Sequence, residues 1–199
     1  MQKATCTLTG VSDLMFGAHV SEPKKSDETH DQYEERTWQQ KVRTLKDGQV
    51  FIQPFALKNA LESAAKWLSM GIPGEGKKTF TKRFASGVLV AEKMPLFDGD
   101  GKPLTIEDVE PIRIFAPSDG QRGSGRRVFR VFPTVHEWQC ETEVIILDGK
   151  ITEAVLEKHL VAAGKFIGFG SMRAENGGIN GRFSVDGLKL EAIEDLSAA

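Results

Sequence analysis

The sequence has little of several things that would point to particular chemistries. Only two cysteines, Cys6 and Cys140, occur in 199 residues, and there is no CxxC. A thiolate zinc site or a dithiol redox motif is therefore unsupported, and both cysteines read as small hydrophobes inside strands. An excess of one charge sign is also missing. With 26 Lys plus Arg against 28 Asp plus Glu, the net charge of −2 neither favours nor excludes a nucleic-acid partner. No apolar run approaches the length of a membrane span. The opening MQKATCTLTG lacks the apolar segment of a secretory signal, so the expected location is cytoplasmic, with no membrane partner. No GKS or GKT occurs, and GFGSMR lacks the following helix of a dinucleotide motif, so a nucleotide cofactor is not implied. One tyrosine stands against 12 phenylalanines, most of which suit core positions while some can stack on bases.

What is present begins with glycine. Ala163 to Phe183, AGKFIGFGSMRAENGGINGRF, holds six of the chain's 20 glycines, with Arg173 and Arg182 among them. Glycine at this density permits positive φ and brings a ligand close to the main chain. Amides exposed in such a loop suit an anion, and arginine presents a planar fork of donors to phosphate. Gly168, Gly170, Arg173 and Arg182 are therefore candidate nucleic-acid contacts. The competing reading is a tight-turned connection with its arginines solvated, or with Arg173 paired to Glu175.

Around this stretch the pattern reads as an ordered domain. Residues 3–9 alternate as a strand with Ala4, Cys6 and Leu8 on one face. Residues 19–47 are polar, and form an arm-like insertion with a short helix expected over 33–42. Pro54 opens a helix with Leu57, Ala60, Leu61, Ala64, Ala65 and Leu68 on one face, stopped by Gly71 and Pro73. Residues 86–92 read as a central strand, and 95–127 as a second insertion containing a strand over 112–115. Residues 128–132 are extended up to Pro133. Trp138, Cys140, Thr142, Val144 and Ile146 then alternate strictly in a further strand. Thr152 caps a helix ending at Gly164, and a last strand begins near Arg182.

The order is βαββαβ, which predicts an α+β, ferredoxin-like (RRM-like) single domain over 1–199. Large insertions follow the first strand and separate the second from the third. The base-stacking aromatics that RNA-recognition modules carry on their central strands are not evident, so loops and insertions should carry any RNA. Arg122, Arg126, Arg127 and Arg130 are interleaved with glycine and serine and can follow a phosphate backbone. Lys77 and Lys78, near Phe80 and Phe84, form a lesser basic candidate. Asp27, His30 and Asp31, with Glu34 and Glu35, are weak candidates for a divalent-metal cluster that cleaves phosphodiesters. Their spacing fits no sharp motif, and solvated acids are the plainer reading.

The pattern Gly164, Gly168-Phe169-Gly170, with Arg173 and Arg182, resembles the glycine-rich loop of the Cas7-like members of the RAMP (repeat-associated) superfamily of CRISPR effector proteins. The segment IQPFALKNALESAAK at 52–66 resembles the family's approach to its first helix. Lys165, Phe166 and Ile167 stand where the family usually has basic or small residues, and GGINGR is an elaboration. The resemblance, to a minimal or phage-borne relative, implies a subunit that oligomerises along single-stranded, guide-type RNA in a ribonucleoprotein. It places residues 19–47 where the family has a projecting arm. Two alternatives stand beside it: a phage structural or inhibitory protein using the fold without RNA guidance, and a metal-dependent ribonuclease.

Overall fold

The computed structural model describes residues 1–118 and 125–193. In chain order the elements are β1 (Gln2–Gly10), β2 (Leu14–Met15), α1 (His30–Thr37), β3 (Phe51–Ile52), α2 (Pro54–Leu68), α3 (Thr81–Ser86), β4 (Val88–Leu89), β5 (Met94–Pro95), β6 (Glu110–Pro117), β7 (Arg127–Val135), β8 (Gln139–Ile146), α4 (Glu153–Ala162) and β9 (Phe183–Ala192). The fold is mixed α and β, with antiparallel sheets. The main sheet has the order β4-β8-β1-β9, a second has β2-β7-β6, and β3 pairs with β5.

The main sheet follows from strand alternation. Ala4, Cys6 and Leu8 of β1, and Cys140, Thr142, Val144 and Ile146 of β8, are all buried. Leu57, Ala60, Leu61, Ala64 and Ala65 of α2 and Leu156 and Leu160 of α4 close on that face in one continuous core. Each fully buried leucine contributes roughly 1.5–3 kcal/mol, and the alanines of α2 let its backbone approach its neighbours. Burial also pushes both cysteine thiols up to about 12, so they are inert packing groups. The opposite sheet face presents Lys3, Thr5, Thr7, Glu141 and Glu143, with Lys3 and Glu143 paired at 3.2 Å. Among the described residues, the strand positions on that face carry no aromatic side chain.

Several boundaries differ from expectation for physical reasons. The apolar run at 86–92 is not a central strand: only Val88 and Leu89 pair, at the edge of the sheet against β8. β7 runs through Pro133, which stands opposite Pro111 of β6. The two prolines face each other where neither strand needs a donor, so the ladder continues. Gly164 is not the helix terminus. α4 runs into a wider turn, Ala163–Ile167, closed by the Gly168 amide donating to the Ala163 carbonyl at 2.9 Å. β9 runs unbroken from Phe183 to Ala192 and holds an extra residue opposite Thr5–Thr7, near Gly187 at φ 64°. On α2, Glu62 pairs with Lys58 at 3.0 Å.

Residues 19–47 form a braced unit against β7. Thr29 and Gln32 make a reciprocal cap on α1, at 3.2 and 2.9 Å. Arg36 grips Glu28 with two bonds of 2.7 and 2.9 Å and also reaches Glu22. The Arg36 bonds hold the Glu28 carboxyl down to about 2. Glu34 is buried; it accepts the Val131 amide at 2.8 Å and the Lys41 ammonium at 2.5 Å. Lys41 also donates to the Val131 carbonyl at 2.7 Å.

Candidate nucleic-acid groove

The glycine-rich stretch is a ribbon folded on itself. Gly164 is buried under β9, and a Cβ there would strike the Phe183 carbonyl. Gly168, Gly170 and Gly181 take φ of 76°, 71° and 69°, a region that other residues rarely adopt. The Phe169 amide donates to Gly181 at 2.9 Å, Ser171 to Met15 at 2.8 Å, Asn180 to Met172 at 3.1 Å and Gly181 to Asp13 at 2.6 Å. Phe169 anchors the ribbon in the core, its ring stacked on Phe183 at 4.6 Å. The glycines thus serve close backbone approach, and many amides expected to meet an anion are engaged within the fold.

The ribbon forms one wall of an open groove of about 1610 Å³. The opposite wall is the end of the β6–β7 hairpin, and the N-terminus of α2 closes a third side. α2 has 15 residues, begins at Pro54, and has no side-chain cap on Gln53. Its first amides and the positive end of its dipole border the groove. Lys41, Arg43, Arg127, Arg130 and Arg173 line the space, against Glu175. Among the described residues, Lys41 has Glu34 as a carboxylate partner and Arg173 has Glu175, at 2.8 Å. Partial burial pushes the Glu175 carboxyl up, but bonds from Ser63 and Arg173 more than offset this and leave it lowered. Arg127 donates to the Phe115 carbonyl at 2.9 Å and Arg130 to the Ser118 carbonyl at 2.5 Å. Among the described residues the buried Arg130 Nε has no hydrogen-bond partner.

The groove therefore gathers Gly168, Gly170, Arg173, Arg127 and Arg130 from the sequence candidates. Arg182 is exposed beside an adjoining depression that shares Ser63, Ile167, Ala174 and Glu175 with the groove. Arg126 is exposed at the hairpin end, its carbonyl taking the Ser118 amide at 2.9 Å. Arg122 lies outside the described residues. Lys77 and Lys78 are exposed in the turn before α3 and do not line the groove; Lys78 faces Glu75 at 3.5 Å. Phe80 and Phe84 are buried, with Phe84 stacked on His159 at 4.0 Å, so neither ring is available to a base. Trp38 packs partly buried against the main core.

Asp27, His30 and Asp31 do not converge. Asp31 pairs with Arg113, which also meets Glu35 at 3.3 Å, and among the described residues no group of three His, Cys, Asp or Glu side chains could hold a metal ion. Among those residues no helix is long and apolar enough to cross a membrane.

Sequence reasoning missed Arg43 and the exposed aromatics of the hairpin. Phe115 and Phe129 face each other across β6 and β7, with rings 5.0 Å apart. Arg113 lies over the Phe129 ring at 4.4 Å and Arg127 over Phe115 at 5.6 Å. The signal was an Arg-x-Phe repeat, at 113–115 and 127–129, which strand alternation places on one face.

No protein-family model matches the sequence, and no curated protein matches it. Among solved structures, the fold is similar to a chain in the cryo-EM structure of the Type III-B Cmr-beta bound to cognate target RNA. The identity is 9% and the TM-score 0.51, covering 95% of this chain and 60% of that one. The likeness concerns the fold, and this chain spans 60% of the length of the chain it matches.

Proposed function

We propose that this protein is a Cas7-like relative of the RAMP superfamily that carries single-stranded RNA in the groove, as a subunit of a multi-subunit ribonucleoprotein. The sheet order β9-β1-β8-β4 supports reading β1, α2, β4, β8, α4 and β9 as a ferredoxin-like βαββαβ core with the other elements as insertions. The similarity to a chain of an RNA-bound assembly supports this reading. The observation that carries it is the collection of Arg43, Arg127, Arg130 and Arg173 in one groove, in a chain whose net charge is −2.

In this reading the arginines hold phosphates, the α2 N-terminus adds a positive end, and the Phe115–Phe129 pair offers stacking surface. The insertion at residues 19–47 braces the hairpin and contacts the next copy along the strand. The test is binding of an end-labelled single-stranded oligoribonucleotide, followed by fluorescence anisotropy. Affinity should fall steeply between about 50 and 200 mM salt. Light scattering on the bound protein should show several copies per long strand and fewer after nuclease treatment. Absence of binding at the lower salt concentration would remove this function.

A further inference from the structure

A second aromatic surface lies outside the groove. Trp67 of α2 and Phe166 of the turn after α4 stack at 5.5 Å with an interplanar angle of 27°. Both are exposed, at 65% and 40%. A large apolar pair left open to water is unfavourable unless something covers it. The depression beside them, about 610 Å³, is lined by Lys66, Lys165 and Arg182 against Glu175. Lys165 sits 5.5 Å from the centre of the Phe166 ring. The depression continues from the groove at Ser63, Ile167, Ala174 and Glu175. An aromatic surface rimmed by three cations, with the Glu175 carboxylate already engaged by Arg173, complements a nucleotide: a base on the rings and its phosphate on the cations. A strand leaving the groove along the ribbon reaches this surface next.

We propose that Trp67 and Phe166 form a stacking site for a base of the single-stranded nucleic acid where it leaves the groove, with Arg182 and Lys165 meeting the adjoining phosphate. This rests on the groove reading above and adds a subsite to it. The site binds any base, because every base has a π face.

The test uses two end-labelled probes of equal length, an oligouridylate and an abasic sugar–phosphate strand. Binding is read by anisotropy and stacking by tryptophan emission. Trp138 is buried and Trp38 packs partly buried, so quenching by a stacked base reports chiefly on Trp67. The expected result is that oligouridylate quenches the wild-type emission and the abasic strand does not. Trp67→Leu, at an exposed position that leaves the core intact, should abolish the quench and weaken oligouridylate binding about tenfold, with abasic binding unchanged. Arg182→Ala should weaken both probes. A quench that survives Trp67→Leu, or an equal loss for both probes, overturns the site. So does a dimer, present without nucleic acid, that Trp67→Leu dissociates, because the patch is then a contact between copies. If the wild type binds neither probe, the groove reading fails and the site fails with it; binding of both probes without quenching rejects the site alone.

Discussion

The two long walls of the groove are built on opposite terms. The ribbon wall is backbone: at Gly164, Gly170, Gly178 and Gly181 an added Cβ would collide with a carbonyl of Phe183, Met15, Met172 or Phe169. The hairpin wall is side chain. Arg127, Arg130 and Phe115 extend from a regular antiparallel pair, and the exposed Arg127 and Phe115 can be exchanged without touching the core. The ribbon gives shape and tolerates little change, whereas the hairpin gives charge and stacking surface and tolerates much. Loss of stability should therefore map to one wall and loss of binding to the other.

The strongest way to break this contrast is to unseat the hairpin from behind. Glu34→Ala leaves the buried Lys41 without its carboxylate and the Val131 amide without its acceptor. It should cost about 3–5 kcal/mol in chemical denaturation. Hydrogen exchange at Val131 should accelerate while the ribbon amides keep their protection; equal acceleration in both walls would show that they unfold as one unit. Next comes Gly181→Ala. It combines positive φ with a collision against Phe169, and should cost about 3 kcal/mol or more, read the same way. A neutral result would mean that the ribbon yields, and the distinction between the walls would be lost.

Arg43→Ala combined with Arg127→Ala sharpens the contrast from the binding side. Stability should change by about 0.5 kcal/mol or less per site. The slope of log affinity against log salt for single-stranded RNA should fall by about 0.7 for each arginine removed. An unchanged slope would mean that neither arginine meets phosphate.

The smallest effect concerns the joint between the walls. His136 contacts Glu110, at the start of the hairpin, at 2.8 Å. It also contacts Asp13, whose carbonyl takes the Gly181 amide, at 3.1 Å. The bonds to Glu110 and then Asp13 raise its pKa. The contact therefore stabilises fully below the ordinary imidazole value of about 6.5, and the effect is lost as pH rises through the raised value. His136 is half exposed, so the difference between wild type and His136→Gln should be a few tenths of a kcal/mol near pH 5.5 and absent by about pH 8.5. Melting curves across that range would check it, and a gap that widens with pH would reverse the assignment.

What could be read from residue order alone follows periodicity. The buried faces of β1, β8 and α2 were legible because Ala4–Cys6–Leu8, the alternation from Trp138, and the spacing from Leu57 each repeat at the period of their element. The second face of the chain was not. Phe115 and Phe129 are 14 residues apart in sequence and became neighbours only through the hairpin register. Phe80 and Phe84 sit in a basic stretch, yet face inward because α3 turns them onto His159. Arg43 carried no local pattern and reached the groove only through the course of the chain into β3. Residues 86–92 misled because an apolar run does not reveal which of its residues will find a partner strand.

Sequence alone therefore settled the buried faces of β1, β8 and α2 and the location of the glycine-rich turn, because these depend on interactions within a few residues or on a repeating pattern. Tertiary structure decided which glycines are obligatory, which arginines share a groove, and that Asp31 faces Arg113 rather than a metal cluster. Such pairings depend on how distant segments approach one another, and no local periodicity encodes that distance.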